Sequence, residues 1–308
     1  MNYIHCLNNI SAQGTDLLTS DYELTDNIEV AQGILVRSAD MLDMEFSENL
    51  LAIARAGAGV NNIPLERCAE EGIVVFNTPG ANANAVKELV LCGMLLASRG
   101  IVGGIEWCKE NAEDPAIGKT AEKAKKQFAG REIKGKTLGV IGLGAIGKKV
   151  AQIATAFGCE VIYYSASGKK RSDEYRQVDL DTLLKGSDIV SCHAPLNEKT
   201  YHLMDAEAFG KMKETALFIN VGRGPIVNEK DLAKALKKGK IAAAGLDVLE
   251  EEPMRKDNPL RKLEVGDRLL ITPHIAWAAV EARTRLLHEV YKNLKAFQNG
   301  EKRNVCTH

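Results

Sequence analysis

Short runs of branched and apolar residues recur along the first part of the chain, at Tyr3–Leu7, Ile34–Val36, Leu51–Ala54 and Ile73–Phe76. Each is followed by a polar or glycine-containing turn, and a helix-like segment, Pro64–Glu71, stands between the last two. Runs that are apolar throughout, rather than alternating, suit strands of a parallel sheet covered on both faces, with helices as the crossovers. A longer helical pattern extends from Asn84 to about Arg99. Between Gly100 and Gly130 the chain turns polar and lysine-rich, with Trp107 and Phe128 as isolated anchors. That stretch has the pattern of neither a clean strand nor a core helix, and it reads as a surface or subunit-contact excursion.

A second series of the same kind starts at Lys136. Its expected strands are Thr137–Ile141, Glu160–Tyr164, Ile189–Cys192, Leu217–Asn220, Ala243–Leu246 and Leu269–Thr272. Helices are expected at Gly147–Phe157, Leu180–Lys185 and Glu229–Lys238, and one amphipathic helix, Val280–Asn299, closes the chain. Two βα series imply two domains of α/β class. The second, with six strands at regular spacing, fits a doubly wound nucleotide-binding sheet.

Candidate chemistry begins at the first turn of that second series. Gly142-x-Gly144-x-x-Gly147 directly follows an apolar strand, opens a helix, and is succeeded one helix later by another strand. In that context the glycines carry a Rossmann-type dinucleotide fingerprint. Gly142 permits the tight turn, Gly144 lets backbone approach a pyrophosphate, and Gly147 lets the helix pack closely on the strand. The second strand of such a unit normally ends in Asp or Glu, which accepts hydrogen bonds from the adenosine ribose of NAD. Here it ends in Ser165, followed by Ala166, Ser167, Gly168, Lys169, Lys170 and Arg171. A serine with a basic run could take the 2′-phosphate of NADP; equally, Ser165 could bond the ribose of NAD beside a solvated loop. NAD is the preferred expectation, with NADP open.

Later strands end in polar residues that a core would not choose. Arg223 follows one strand, Asp247 and the carboxylates Glu250–Glu252 follow the next, and His274 follows the last. Ligands of open α/β sheets bind outside the carboxyl ends of the strands, so these groups are expected to converge where the cofactor lies. Reduction of a 2-oxo acid needs a cation for the carboxylate and carbonyl and an acid for the developing alkoxide. Arginine supplies a bidentate fork, and a carboxylate-paired histidine suits the acid.

Composition narrows the partners. The 308 residues carry a formal net charge of −1, with 45% hydrophobic and 26% charged residues. No basic excess draws the chain to nucleic acid or an anionic membrane, and no apolar run approaches the roughly 20 residues of a bilayer span. The start of the chain has no basic region leading into an apolar one, so no secretion signal is expected. Seven cysteines without a C-x-x-C pair read as reduced thiols of a cytoplasmic protein, with no metal site. No Gly-Lys-Ser/Thr follows the glycines, which removes a P-loop enzyme.

The motifs GVIGLGAIGKKVA, SCHAPLNEKTYHLM, INVGRGPIVNEKDLAKAL, AAGLDVLEEEP and ITPHIAWA together resemble the D-isomer-specific 2-hydroxyacid dehydrogenase family over nearly the whole chain. That resemblance implies that Arg223 binds the substrate carboxylate and carbonyl, that Glu252 supports the histidine, and that His274 is the acid/base. It also implies that Ala145 and Ile146 lie along the pyrophosphate, and that Ala194, Pro195, Val221 and Asp247 line the cofactor site. A formate dehydrogenase would carry Gln in place of Glu252. The family architecture implies a Rossmann domain over residues 91–283 and a smaller, discontinuous, flavodoxin-like substrate domain over 1–90 and 284–308. It further implies a homodimer through the Gly100–Gly130 excursion.

In ARAGAGVNNI, the resemblance places Ala58 and Gly59 where backbone N–H groups hold the substrate carboxylate. The amino-terminal half resembles phosphoglycerate dehydrogenases, with Arg37 and Lys87 as a candidate phosphate-binding pair. The carboxyl-terminal half resembles glycerate dehydrogenases acting on hydroxypyruvate and glyoxylate, with Trp277 shaping the pocket. The first half holds most of the substrate, so D-3-phosphoglycerate is the expected substrate and hydroxypyruvate or glyoxylate the alternative. No regulatory domain is expected beyond residue 308. A different class, a non-catalytic NAD(H)-sensing binding protein, is the competing expectation; His5, His202, His288 and His308 receive no role.

Overall fold

A computed structural model describes residues 2–8, 17–169 and 171–307. The chain forms two compact units, Met1–Ala85 with Trp277–His308, and Val86–Ala276.

The first unit is a five-stranded parallel sheet of β1 (Tyr3–Cys6), β2 (Glu23–Leu24), β3 (Gly33–Val36), β4 (Ala52–Arg55) and β5 (Val74–Phe76). Its order, β2-β1-β3-β4-β5, is the flavodoxin-like winding. Strand alternation sends Leu35, Ala52, Ala54 and Phe76 into one core and Ile34, Val36, Ile53 and Val75 into the other. The closing helix, Val280–Gln298, caps the first of these with Leu286, Leu287, Val290 and Leu294. Buried Asn293 fastens it further, donating from Nδ2 to the Asn77 carbonyl at 2.8 Å.

The second unit is a seven-stranded parallel sheet. Its strands are β6 (Thr137–Ile141), β7 (Glu160–Tyr164), β8 (Arg176–Gln177), β9 (Ile189–Cys192), β10 (Leu217–Asn220), β11 (Ala243–Leu246) and β12 (Leu269–Ile271). The order β12-β11-β10-β9-β6-β7-β8 is the doubly wound Rossmann arrangement with one added edge strand, and winding reverses between β6 and β9. β9, β10 and β11 are buried at every residue, as crossover helices on both faces require. The two-residue edge β8 and the short helix Ala206–Lys211, capped by Asp205, have no counterpart in the apolar pattern.

The stretch 100–130 is helical, contrary to its irregular-looking sequence. Helices Ile101–Glu110 and Ile117–Ala124 and the 3₁₀ turn Lys125–Phe128 contain no buried residue. Without a buried stripe the usual core-helix period is missing, while Trp107 and Phe128, with ring centroids 6.4 Å apart, hold the two ends of the excursion together. Among the described residues no single helix is long and apolar enough to cross a membrane.

Candidate active site

The turn after β6 separates its three glycines by physical cause. Gly142 has φ +93°, and a Cβ there would lie 2.7 Å from the Ala194 nitrogen. A Cβ on Gly147 would lie 2.3 Å from the Gly142 carbonyl oxygen. The protein's own packing therefore demands both. A Cβ on Gly144 would meet nothing within 4 Å, so its smallness leaves room for something outside the chain. Ala145 and Ile146 open the helix Ala145–Ala156, whose N-cap residue Gly144 offers no side-chain hydrogen bond. First-turn N–H groups beside open space fit an anionic diphosphate. Ala194 and Val221, both buried, follow β9 and β10 on this same edge of the sheet, and Pro195 is exposed just beyond.

Ser165, immediately after β7, opens a tight turn. Its carbonyl accepts from Gly168 N at 2.9 Å, and its Oγ is 3.1 Å from Ser167 Oγ. The backbone N–H of Arg171 donates to the Tyr163 hydroxyl at 3.0 Å. Lys169 and Arg171 are exposed; Lys170 lies outside the described residues.

The loops after β10, β11 and β12 bring the expected trio together. Buried Asn220, last in β10, accepts from Gly222 N and donates to the Arg223 carbonyl, both at 3.0 Å, which shapes the arginine's turn. Arg223 donates from Nη1 to the Gly222 carbonyl at 2.7 Å. Burial lowers the pKa of its guanidinium, and the nearby Glu252 charge opposes that effect. A Cβ on Gly224 would lie 1.7 Å from the Leu249 oxygen, so this loop rests directly on the acidic loop. Glu252 accepts from Leu249 N at 3.0 Å through Oε1 and from His274 Nδ1 at 2.7 Å through Oε2. Burial is the largest single influence on its carboxyl and acts to raise the pKa. The hydrogen bonds from His274 and Leu249, with the His274 and Arg223 charges, outweigh burial and hold it below the ordinary value.

His274 stands at φ +53°, an uncommon conformation that its surroundings must enforce. Asp247 supplies the enforcement. Its Oδ1 accepts from Thr272 Oγ1 at 2.6 Å and Ile275 N at 2.8 Å, and its Oδ2 from Ala276 N at 2.8 Å. This carboxylate, expected along the cofactor, is committed to the turn that carries the histidine.

Two other histidines acquire partners that the sequence did not signal. His202, given no role from sequence, hydrogen-bonds through Nε2 to Glu250 Oε1. His193, just after β9, has Nε2 2.9 Å from Ser191 Oγ, and burial pushes its pKa down to about 3, so the ring is neutral.

In the first unit, Arg37 follows β3. The N–H groups of Arg37, Ser38 and Ala39 all donate to Asn8 Oδ1, at 2.8, 3.0 and 3.2 Å. The Arg37 guanidinium lies 4.6 Å from the Trp277 ring centroid, so two candidates from opposite ends of the sequence stack on each other. Ala58 is exposed and Gly59 half-buried, and the Ala58 carbonyl accepts from Asn77 Nδ2 at 2.7 Å. A Cβ on Gly57 would lie 1.7 Å from Arg55 Nη1: this second arginine, at the end of β4, folds across the glycine turn, and nothing in its sequence context marks it out. Lys87 belongs to the other unit, where its ammonium is 3.7 Å from Glu88.

A family model described as D-isomer specific 2-hydroxyacid dehydrogenase, NAD binding domain, matches residues 91–276, more than half of the chain. The hydroxypyruvate reductase of Thermotoga maritima is 40% identical over 279 residues, covering 88% of this chain and 88% of that protein. The D-3-phosphoglycerate dehydrogenase of Methanocaldococcus jannaschii is 40% identical over 286 residues, which cover 91% of this chain but 52% of that protein. Among solved structures, the D-lactate dehydrogenase of Aquifex aeolicus, complexed with NAD and lactic acid, is similar at a TM-score of 0.83 and 28% identity. That likeness covers 100% of this chain and 99% of the other.

Proposed function

The chain belongs to the D-isomer specific 2-hydroxyacid dehydrogenase family, and we propose that Arg223, Glu252 and His274 interconvert a small 2-hydroxy acid and its 2-oxo acid. The observation that carries these roles is the 2.7 Å bond between His274 Nδ1 and Glu252, on a loop packed against the arginine's own. A nicotinamide cofactor held at the Gly142–Gly147 turn would supply or take the hydride. Arg223 holds the substrate carboxylate and polarises the carbonyl, and its partly buried charge is worth more there than in water. Glu252 engages Nδ1 of His274, so Nε2 delivers the proton to the carbonyl oxygen in reduction and recovers it in oxidation. Ala145, Ile146, Gly144 and Val221 border the cofactor. Ser165 receives the adenosine ribose of NAD; a strong NADPH preference would overturn that choice.

For the substrate, hydroxypyruvate or glyoxylate and D-3-phosphoglycerate are the two readings. The full-length likeness to a protein named hydroxypyruvate reductase favours the first. Trp277 stacked on Arg37 supports it, because the indole covers one face of the cation. Arg37 and Arg55, at the ends of neighbouring strands β3 and β4, favour a second anionic group and hence the phosphorylated acid. A panel of 2-oxo acids run with NADH and NADPH decides. An unchanged KM for 3-phosphoglycerate in Arg37→Ala removes the phosphate reading, and no turnover of any 2-oxo acid favours an NAD(H)-sensing protein. The unburied helices of residues 101–128, where Ile105 is 51% exposed, are the proposed two-fold contact of a homodimer. A monomeric mass by light scattering counts against it.

A further inference from the structure

The histidine–glutamate pair His202–Glu250 stands behind the loop that carries Arg223. His202 itself is at φ +48°, and its N–H donates to the Pro225 carbonyl at 2.9 Å. From there the backbones run together: Met204 N donates to Ile226 O, and Asn228 N to Met204 O, both at 3.0 Å. Segment 202–204 is thus laced to the residues immediately after Arg223 and Gly224. On the other side, Gly224 presses on the backbone of Leu249 and Glu250. Glu250 is fixed in turn, because its N–H donates at 2.7 Å to Oε1 of Glu229, a carboxylate 2% exposed. Glu229 also accepts from Asn258 Nδ2 at 2.5 Å. The hydrogen bond from His202 to Glu250 therefore closes a ring: 202–204 to 225–228, Gly224 to Leu249–Glu250, and Glu250 back to His202.

We infer that His202 and Glu250 are positioning residues, a latch that sets where Arg223 stands relative to the Glu252–His274 pair. Glu250 is two residues before Glu252, so the latch registers the loop of the substrate-binding cation directly against the loop of the proton-handling pair. A directional hydrogen bond fixes such a register where apolar packing would allow sliding. The Tyr201 ring, stacked at 4.1 Å and 21° on the imidazole, shields one face of that bond from water. The inference rests on the proposed role of Arg223 in holding the 2-oxo acid.

The test compares Glu250→Ala, Glu250→Gln and His202→Asn with the wild type. Asparagine tolerates positive φ, and glutamine keeps length and an acceptor, so at least one variant of each partner spares the backbone. Glyoxylate turnover with NADH, NADH affinity by fluorescence, and binding of the unreactive acid oxamate to the NADH complex are measured. We expect kcat/KM for glyoxylate and oxamate affinity to fall about 10-fold in Glu250→Ala and His202→Asn and about 3-fold in Glu250→Gln, the scale of a sub-ångström misplacement. NADH affinity should stay within about twofold, since the latch does not touch the cofactor turn. Folded variants with wild-type kcat/KM overturn the latch, and so does an NADH affinity that falls in step, which marks general loosening. If Glu250→Ala fails to fold, the glutamine and asparagine variants decide. A wild type that neither reduces a 2-oxo acid nor binds oxamate refutes the proposed function and takes the latch with it, whereas an active wild type with insensitive variants refutes the latch alone.

Discussion

Two histidine–glutamate pairs share one acidic loop, and they are built to do different things. His274 and His202 both stand at positive φ, 53° and 48°, and their partners Glu252 and Glu250 are two residues apart. In the first pair the bond uses Nδ1, the nitrogen nearer the backbone, so the proposed proton transfer falls to the distal Nε2. Its side chains are 46% and 37% exposed, and the backbone beneath is secured by Asp247. In the second pair the bond spends the distal Nε2 on Glu250, and both backbones are tied into neighbouring segments, His202 to Pro225 and Glu250 to Glu229. On the proposed roles, the same two side chains make a reagent in one place and a brace in the other. Which nitrogen is spent, and what the backbones hold, decides between them.

The largest test puts the same substitution at both histidines. His274→Asn removes the proposed acid and should lower kcat for 2-oxo acid reduction by about 10³-fold or more, within the range for loss of a positioned acid–base group. His202→Asn should lower kcat/KM by only about 10-fold. Comparable losses in steady-state kinetics would erase the distinction. A smaller, more diagnostic contrast comes from the glutamates. Glu252→Gln takes away the carboxylate that accepts from His274 Nδ1, so kcat/KM for reduction should fall about 10- to 100-fold. Glu250→Gln keeps an acceptor for His202 and should lower kcat/KM only about 3-fold. Equal losses of kcat/KM in the two glutamine variants would make the second pair chemical as well.

How these pairs stood in the sequence explains what could be read there. His274, Arg223 and the acidic residues each follow an apolar run, and β6, β7, β9, β10 and β11 occupy the residues that those runs predict. Parallel strands buried on both faces have no polar interruptions, so their ends are sharp in the sequence. The edge strands β2 and β8, two residues each, carry no such run. His202 and Glu250 are 48 positions apart, and although each lies inside a family motif, nothing in either motif pairs them. Only the fold brings them together. Arg55 was hidden for a different reason: it reads as the start of a glycine motif, and only its side-chain conformation folds it back over Gly57. Gly224 likewise looks like one more flexible position, until the Leu249 oxygen stands where its side chain would be.

That glycine gives the next test, because both pairs depend on the contact it makes. Gly224→Ala forces a methyl onto backbone that has no flexible end to move, and overpacking of that kind costs about 1–3 kcal/mol. At roughly 2–4 °C per kcal/mol for a unit of this size, the melting temperature should drop measurably, with kcat/KM falling further as Arg223 is displaced. Gly144→Ala is the matched control. Its methyl meets open space, so stability should hold within about 0.5 kcal/mol while NADH binding weakens. A Gly224→Ala protein as stable and as active as wild type would mean that the two loops are not held together as described.

The smallest expected effect belongs to a third histidine, which has a hydroxyl partner in Ser191 where the other two have carboxylates. Burial lowers the His193 pKa from 6.5 to about 3 in the folded protein. Between those values the unfolded chain binds a proton there and the folded chain does not, so stability is complete above about 6.5 and is lost as pH falls below it. The slope is at most about 1.4 kcal/mol per pH unit. His193→Asn has no proton to take up, so its urea midpoint should decline less steeply than the wild type's from pH 6.5 to pH 5. Activity at pH 7 should barely respond to the acid-side change, since the ring is neutral there in any case. Parallel stability curves would show that the imidazole finds a proton-accepting partner or water as pH falls. His193 would then stand closer to the two paired histidines than its surroundings indicate.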